Sequence, residues 1–331
     1  MKKMIFAGVG MGISVASAMA QSNVAQSNVT VYGLLDAAVV VAGGGPKGAS
    51  TRLDSGVSNG SRIGFTGREG LGNGLSSFFT LESGILIDTG ASDQGGLLFG
   101  RQAFVGLTHA AGTLKIGRQY TLMFDTLTDV DPFTNNYGGA AGQLMAGEKA
   151  GTRMNNTVQY TSPAVRGFSA QLAYGFGEVP GDSARSRQFE YGASYNAGPL
   201  LLRATYNRTD NAGATDSARN VLLIAKYSFG PLTASAGYGA NQGTGSTDSR
   251  DYLVAVSAPF GAHGISGTFI HKSDRANTRL GANQVAAAYT YALSKRTNVF
   301  VAYSKLSNIR FTTSKFGDGD RELDLGIKHR F

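Results

Sequence analysis

The sequence predicts an all-β chain: a transmembrane, antiparallel, up-and-down β-barrel of about 16 strands. Three observations carry this expectation. Apolar residues recur with a period of two along most of the chain, short and long connections alternate, and aromatic residues gather just before the short connections. The closing segment, "ELDLGIKHRF", shows the first: Leu323, Leu325, Ile327 and Phe331 share one parity, Glu322, Asp324, Lys328 and Arg330 the other. His329 is the weak member of the apolar set. Strand side chains point alternately to opposite faces, so one face of this segment is apolar and the other charged. A soluble sheet packed on a core would alternate in the same way, so the other observations must arbitrate.

From the N-terminus, "MKKMIFAGVGMGISVASAMA" sets Lys2 and Lys3 before a short apolar run that ends on small residues at Ala18 and Ala20. This reads as a secretory signal peptide over residues 1–20, cleaved before Gln21 and leaving residues 21–331 as the barrel. Its loss lowers the formal charge from +8 to +6, a modest excess that is not gathered into the basic runs of a nucleic-acid binder. The chain has no cysteine, and no stretch beyond residue 20 reaches the run of about 20 apolar residues that a membrane helix needs. With 47 Gly, 18 Phe, 14 Tyr, no Trp and a mean hydropathy of -0.10, what remains is an exported β-rich chain.

Short links fall near residues 69–74, 110–112, 162–167, 196–199, 230–231, 261–264 and 294–296. Long polar links fall near 41–60, 89–98, 120–151, 178–187, 210–218, 242–250, 274–281 and 307–320. Between them lie segments of about 10 residues, the length of a tilted strand that crosses a bilayer. Their apolar faces are explicit: Val221, Leu223, Ala225, Tyr227 and Phe229; then Tyr252, Val254, Val256, Ala258 and Phe260; then Val285, Ala287, Tyr289, Tyr291 and Leu293. An even strand number returns the last strand beside the first and removes the sheet edges. Tyr195, Tyr227, Phe229, Phe260, Tyr291 and Phe331 precede short links or the terminus on the apolar parity, so they would form one interfacial ring.

The segments "SNVTVYGLLDAAV", "SRIGFTGREGLGNGLSSFFTLESG", "RQAFVGL", "LKIGRQY", "DPF" and "LGIKHRF" resemble the general-diffusion porins of Gram-negative bacteria, especially the β-proteobacterial type. The resemblance covers the whole mature chain. It implies a homotrimer of 16-stranded barrels in the outer membrane, each with a water-filled channel for small hydrophilic solutes and inorganic anions. It also implies contact with outer-membrane lipid and lipopolysaccharide, and a terminal Phe331 read by the barrel assembly machinery. No cofactor and no nucleic-acid partner is expected.

The link at 120–151 is the longest, and by the same resemblance it is the third loop, folded into the lumen as the constriction. Its acids are Asp125, Asp129, Asp131 and Glu148. Arg62 is opposite in phase to Ile63 and Phe65, and Arg153 to Val158 and Tyr160, which turns both inward. Arg101, in "RQAFVGL", matches the family's inward arginine. Arg62, Arg101 and Arg153 are therefore expected to form the basic wall of the constriction, with Glu82 an inward carboxylate beside them. Arg118 shares parity with Leu114 and Ile116 and is left outside the pore. The inner phase carries more Lys and Arg than Asp and Glu, so the channel is expected to prefer anions.

Two other classes share the β-rich pattern. An outer-membrane barrel enzyme would need a nucleophile and base set together, yet His109, His263, His271 and His329 lie in no nucleophile or HExxH pattern, and "GLGNG" reads as a turn. A β-rich soluble binding protein would not need detergent. A substrate-selective channel stays open as an alternative, though the inner phase offers only Tyr32 and Phe78 toward an aromatic ladder.

Overall fold

A computed structural model describes residues 28–46, 48–147, 149–276, 281–307 and 319–331. The segment read as a signal peptide and Glu148 both lie outside the described residues. The first part of the chain contributes β1 (Asn28–Gly45), β2 (Gly48–Ser55), β3 (Arg62–Gly72), β4 (Leu75–Leu86), β5 (Ala91–Ser92), β6 (Gln102–His109) and β7 (Gly112–Tyr120). Two helices follow, α1 (Leu122–Val130) and α2 (Gly142–Met145), and then β8 (Arg153–Thr161), β9 (Phe168–Gly175), β10 (Gln188–Ala197) and β11 (Leu200–Asp210). The chain closes with β12 (Ser217–Phe229), β13 (Leu232–Gln242), β14 (Asp248–Phe260), β15 (His263–Asp274), β16 (Ala282–Ala292), β17 (Thr297–Leu306) and β18 (Arg321–Arg330).

These segments form one closed antiparallel barrel. β1 pairs with β18 from Leu34↔Arg330 to Gly43↔Arg321, which seals the seam. On its other edge β1 pairs first with β3 and then with β2, so β2 and β3 are two halves of a single wall strand broken at residues 56–61. β5 pairs only with the end of β4. The wall thus has 16 strands among the described residues.

Most of the expected connections lie where the alternation put them, but the long link at 41–60 is a correction. β1 continues to Gly45 and β2 returns along it, turning through Gly44 and Gly48 at φ +85° each. This stretch lacks the apolar alternation that marks a strand, because small and polar side chains fill the hairpin. Outward residues such as Leu223, Val254, Val285 and Ile327 are exposed, the lipid-facing band of a membrane barrel.

At the end with the short turns, Phe168 and Tyr195 (ring centroids 4.5 Å apart), Tyr227 and Phe229 (4.5 Å), and Phe260 and His263 (5.2 Å) form an aromatic belt. Phe331 completes it. Its N–H donates to the Gly33 carbonyl, and the Gly33 N–H to its own, each at 3.1 Å. The Phe331 ring lies over Gly33, where a Cβ would come within 2.1 Å of Cζ. Glycine is needed there because the backbone itself is the floor of the aromatic contact.

Candidate functional site

The loop between β7 and β8 turns into the barrel, and the residues that hold it there are apolar. Met123, Leu127 and Val130 of α1, with Ala141, Leu144, Met145 and Ala150, pack on Leu222, Ile224, Leu253, Ile270 and Leu306 from the inner wall. Farther along, Phe133 and Tyr137 pack on Ala38, Val40, Ala286, Ala288, Phe300 and Ala302. Burial drives the loop to one side of the lumen, since each large side chain removed from water there contributes about 1.5–3 kcal/mol.

Polar anchors fix its height. Thr121 caps α1, accepting the Phe124 N–H at 3.1 Å, and donates to the Gly151 carbonyl at 2.9 Å, closing the loop neck. Glu190 accepts the Leu122 N–H at the start of the same helix and the Asn207 amide at 2.9 Å. Lys272 reaches the Leu144 carbonyl at 2.8 Å while paired to Asp251 at 2.9 Å, and Gln284 donates to the Gly139 carbonyl at 2.7 Å. A Cβ on Gly139 would lie 2.1 Å from that of Ala286, so the loop backbone passes close against the wall there.

Opposite this covered wall is a cavity of about 700 Å³. Arg62, Arg101 and Arg153 line it on one side, and Phe124, Asp125 and Thr128 of α1 with Asn135 and Asn136 on the other. Arg101 donates through Nε to Glu82 at 2.7 Å and through Nη2 to the Tyr120 hydroxyl at 2.7 Å. Glu82 also accepts from the Tyr32 hydroxyl at 2.9 Å and lies 3.9 Å from Arg62, whose guanidinium bonds Asn59. Arg153 lies 4.8 Å from the Tyr120 ring centroid, donates to its hydroxyl at 3.3 Å, and donates to the Arg101 carbonyl at 2.8 Å. The Tyr120 ring stacks on Phe124 at 4.9 Å, which joins the arginine row to the loop.

The structure thus brings Arg62, Arg101, Arg153, Glu82 and Asp125 to one place, and among the described residues the other two loop acids are taken up by other partners. Asp129, one helical turn beyond Asp125 on the same side of α1, is paired to Arg203 at 2.6 Å and does not line the cavity. Asp131 is not on the channel surface; it is 2 % exposed and accepts N–H bonds from Phe133, Asn135 and Ala141 at 2.8–3.1 Å, organising the loop turn. Burial pushes the Asp131 carboxyl up to about 6, against those three donors. Asp125 is also pushed up to about 6 by burial, with Arg203 and Lys115 opposing the shift.

Arg153 reaches the cavity by a route that simple alternation does not describe. Asn156 has φ +51° and the β7–β8 register shifts there, so Met154, Thr157 and Gln159 face inward while Asn155 and Asn156 are both exposed. The guanidinium then folds over Tyr120 at the strand ends. Arg118 lies opposite Ala103, donates to the Gly100 carbonyl at 2.8 Å and bonds Asn155, away from the cavity. Sequence reasoning missed Tyr120, Phe124 and Asp93, which also lines the cavity. The glycine in "LKIGRQY", Gly117 at φ +132°, was the available sign that parity would fail there.

Comparison with known proteins agrees with the barrel fold. A family profile described as Gram-negative porin matches residues 12–309. An outer membrane porin protein of Bordetella pertussis is 28% identical over 93% of this chain and 95% of its own length. Outer membrane porin protein 32 of Delftia acidovorans is 29% identical with the same coverage. Among solved structures, an anion-selective porin from Comamonas acidovorans superposes with a TM-score of 0.81 at 26% identity, over 92% of this chain and 100% of that one.

Proposed function

Since the chain belongs to the Gram-negative porin family, we propose that its constriction selects by charge and favours anions. The chain forms a water-filled outer-membrane channel for passive diffusion of small hydrophilic solutes. The single observation that carries the selectivity is the composition of the cavity wall: Arg62, Arg101 and Arg153 face it, against Asp93 and Asp125. Glu82 is turned behind Arg101 and occupied by it. A unit charge about 5 Å from the ion path contributes about 0.8 kcal/mol even at the dielectric of water, a factor of about four in local ion concentration. The low-dielectric wall focuses that field, and a Debye length of about 8 Å at physiological salt limits its reach. The similar Comamonas acidovorans structure is of an anion-selective porin, which supports the same direction.

Reversal potentials across a KCl gradient test this. The unmodified channel is expected to prefer anions, more so at low salt, and replacing Arg62 and Arg101 with Gln is expected to shift the potential toward cations. Cation preference in the unmodified channel would overturn the assignment.

The finer partners belong to the same reading: three copies assemble, the wall meets outer-membrane lipid and lipopolysaccharide, and the barrel assembly machinery reads Phe331. Heat-modifiable migration of a β-rich trimer tests the first. Deleting Phe331 tests the last, with trimer yield expected to fall far more than the conductance of barrels that do form.

A further inference from the structure

Short turns mark the periplasmic end of outer-membrane barrels, so the ends of β10, β11 and β12 opposite the Phe331 belt are extracellular. On the outward face there, Arg208 of β11 lies directly opposite Arg219 of β12. Like charges facing each other across a strand pair are destabilising unless something of opposite charge joins them. Arg187, the residue before β10, joins the two arginines, and a single buried carboxylate serves Arg187 and Arg208. Asp210 accepts Nε of Arg187 at 2.6 Å and Nε of Arg208 at 2.8 Å, one on each oxygen. Arg187 also bonds the Tyr174 side chain, and the terminal Nη groups of Arg208 are left for other acceptors. The Arg219 side chain is exposed and donates no hydrogen bond among the described residues. Asp216 accepts the N–H groups of Gly245 and Ser217, each at 2.7 Å, and attracts Arg219 electrostatically without a hydrogen bond between them.

What lies beneath the cluster sets its depth. Phe189 sits under the Arg208 guanidinium at 5.8 Å, Tyr191 and Tyr206 stack at 6.0 Å, and below them Leu202 and Leu223 are exposed to lipid. An aromatic belt marks the boundary between hydrocarbon and headgroups, so three guanidiniums immediately beyond it stand at headgroup level. Guanidinium forks match phosphate oxygens in a bidentate way that a lone ammonium does not.

We propose that Arg187, Arg208 and Arg219 form a clamp for the phosphate of a lipid headgroup in the outer leaflet. The anion bridges the two facing arginines across the β11–β12 pair, Asp210 holds the forks in position, and the acyl chains run down the exposed band. The site is separate from the constriction, so its failure would leave the channel reading intact, and conductance is measured alongside.

The test is retention of bisphosphorylated lipid A by the detergent-solubilised, folded protein, read by native mass spectrometry, with dephosphorylated lipid A as the control. The unmodified protein is expected to retain the phosphorylated form preferentially. Arg208→Gln with Arg219→Gln is expected to lower retention about tenfold or more while conductance and heat-modifiable migration stay unchanged. Arg208→Lys with Arg219→Lys, which keeps the charge and removes the forks, is expected to fall between. Equal retention of the two lipids, or undiminished retention by the Gln variant, would overturn the clamp. Displacement of the lipid by millimolar inorganic phosphate would overturn the lipid as its occupant. Should the double variant misfold, Arg187→Gln alone is expected to give the same direction of loss, and full retention by it would count against the proposal.

Discussion

The two halves of the barrel wall look alike in sequence and behave differently inside. From β3 to β7 the inner side carries charge, with Arg62, Glu82 and Lys115 on the strands and Arg101 just before β6, beside the aromatic pair Phe78 and Phe104. From β12 to β17 the inward phase holds Leu222, Leu253, Ile270, Phe300 and Leu306, all nearly sealed from solvent by the loop. Both halves show apolar residues outward toward lipid. The contrast teaches that strict alternation marks where a barrel wall faces water, and that its failure, apolar on both faces, marks where something packs on the inside.

Breaking the covered half should have the largest effect. Leu253→Asp places a carboxylate in the apolar seat of α1 and α2, at a cost of several kcal/mol to loop docking. Single-channel conductance is expected to rise about twofold or more, with unstable current as the loop leaves the wall. Leu253→Ala, costing about 2–5 kcal/mol, is expected to move conductance in the same direction but less. Unchanged conductance in both would mean that the seat does not set the channel's width.

Breaking the water-facing half should change selectivity rather than size. Tyr120→Ala removes the ring under Arg153 and the hydroxyl shared with Arg101. Such a cation–π contact is worth about 0.5–2 kcal/mol, and a hydrogen bond about 1 kcal/mol. The anion-to-cation permeability ratio is expected to fall about twofold to threefold as the guanidiniums lose their fixed height. Tyr120→Phe keeps the ring, and it is expected to retain most of the preference.

Proton concentration offers a smaller, reversible probe. Burial pushes Asp125 up to about 6, so it is ionised above that pH and neutral below it. Acidification from pH 8 to pH 5 therefore removes one negative charge facing the arginine row, and anion preference is expected to rise, by at most about fourfold. Asp125→Asn is expected to show the higher preference already at pH 8 and to flatten the pH dependence. A pH response that survives the replacement would assign the titration to another group.

Much of this contrast was hidden in the sequence for reasons that individual residues make plain. Period two announced the strands, and with them the lipid face, because Val254 and Ile327 alternate with small or polar residues. It did not announce β2, where the side chains of "GASTRLDS" have no apolar face to repeat. Arg62, Arg101 and Glu82 were legible from phase and resemblance. The burial of Asp131 was not, because three backbone donors from its own loop claim its oxygens only once the loop has turned. Tyr120 was missed because parity counting assumes an unbroken ladder, and the β7–β8 register shifts beside it.

That same register shift makes Arg118 the smallest and most discriminating prediction. It is adjacent in sequence to the channel-lining end of β7 but belongs with Ala103 on the outer phase, where its Nε donates to the Gly100 carbonyl. If the face assignment is right, Arg118→Gln leaves the reversal potential unchanged within error, because the wall separates its charge from the ion path. Its structural loss is confined to hydrogen bonds at the wall, about 1–2 kcal/mol at most. A shift toward cations comparable to that of Arg62→Gln would instead place Arg118 in the lumen, and with it would fall the distinction between the guanidiniums that set the field and those that hold the wall.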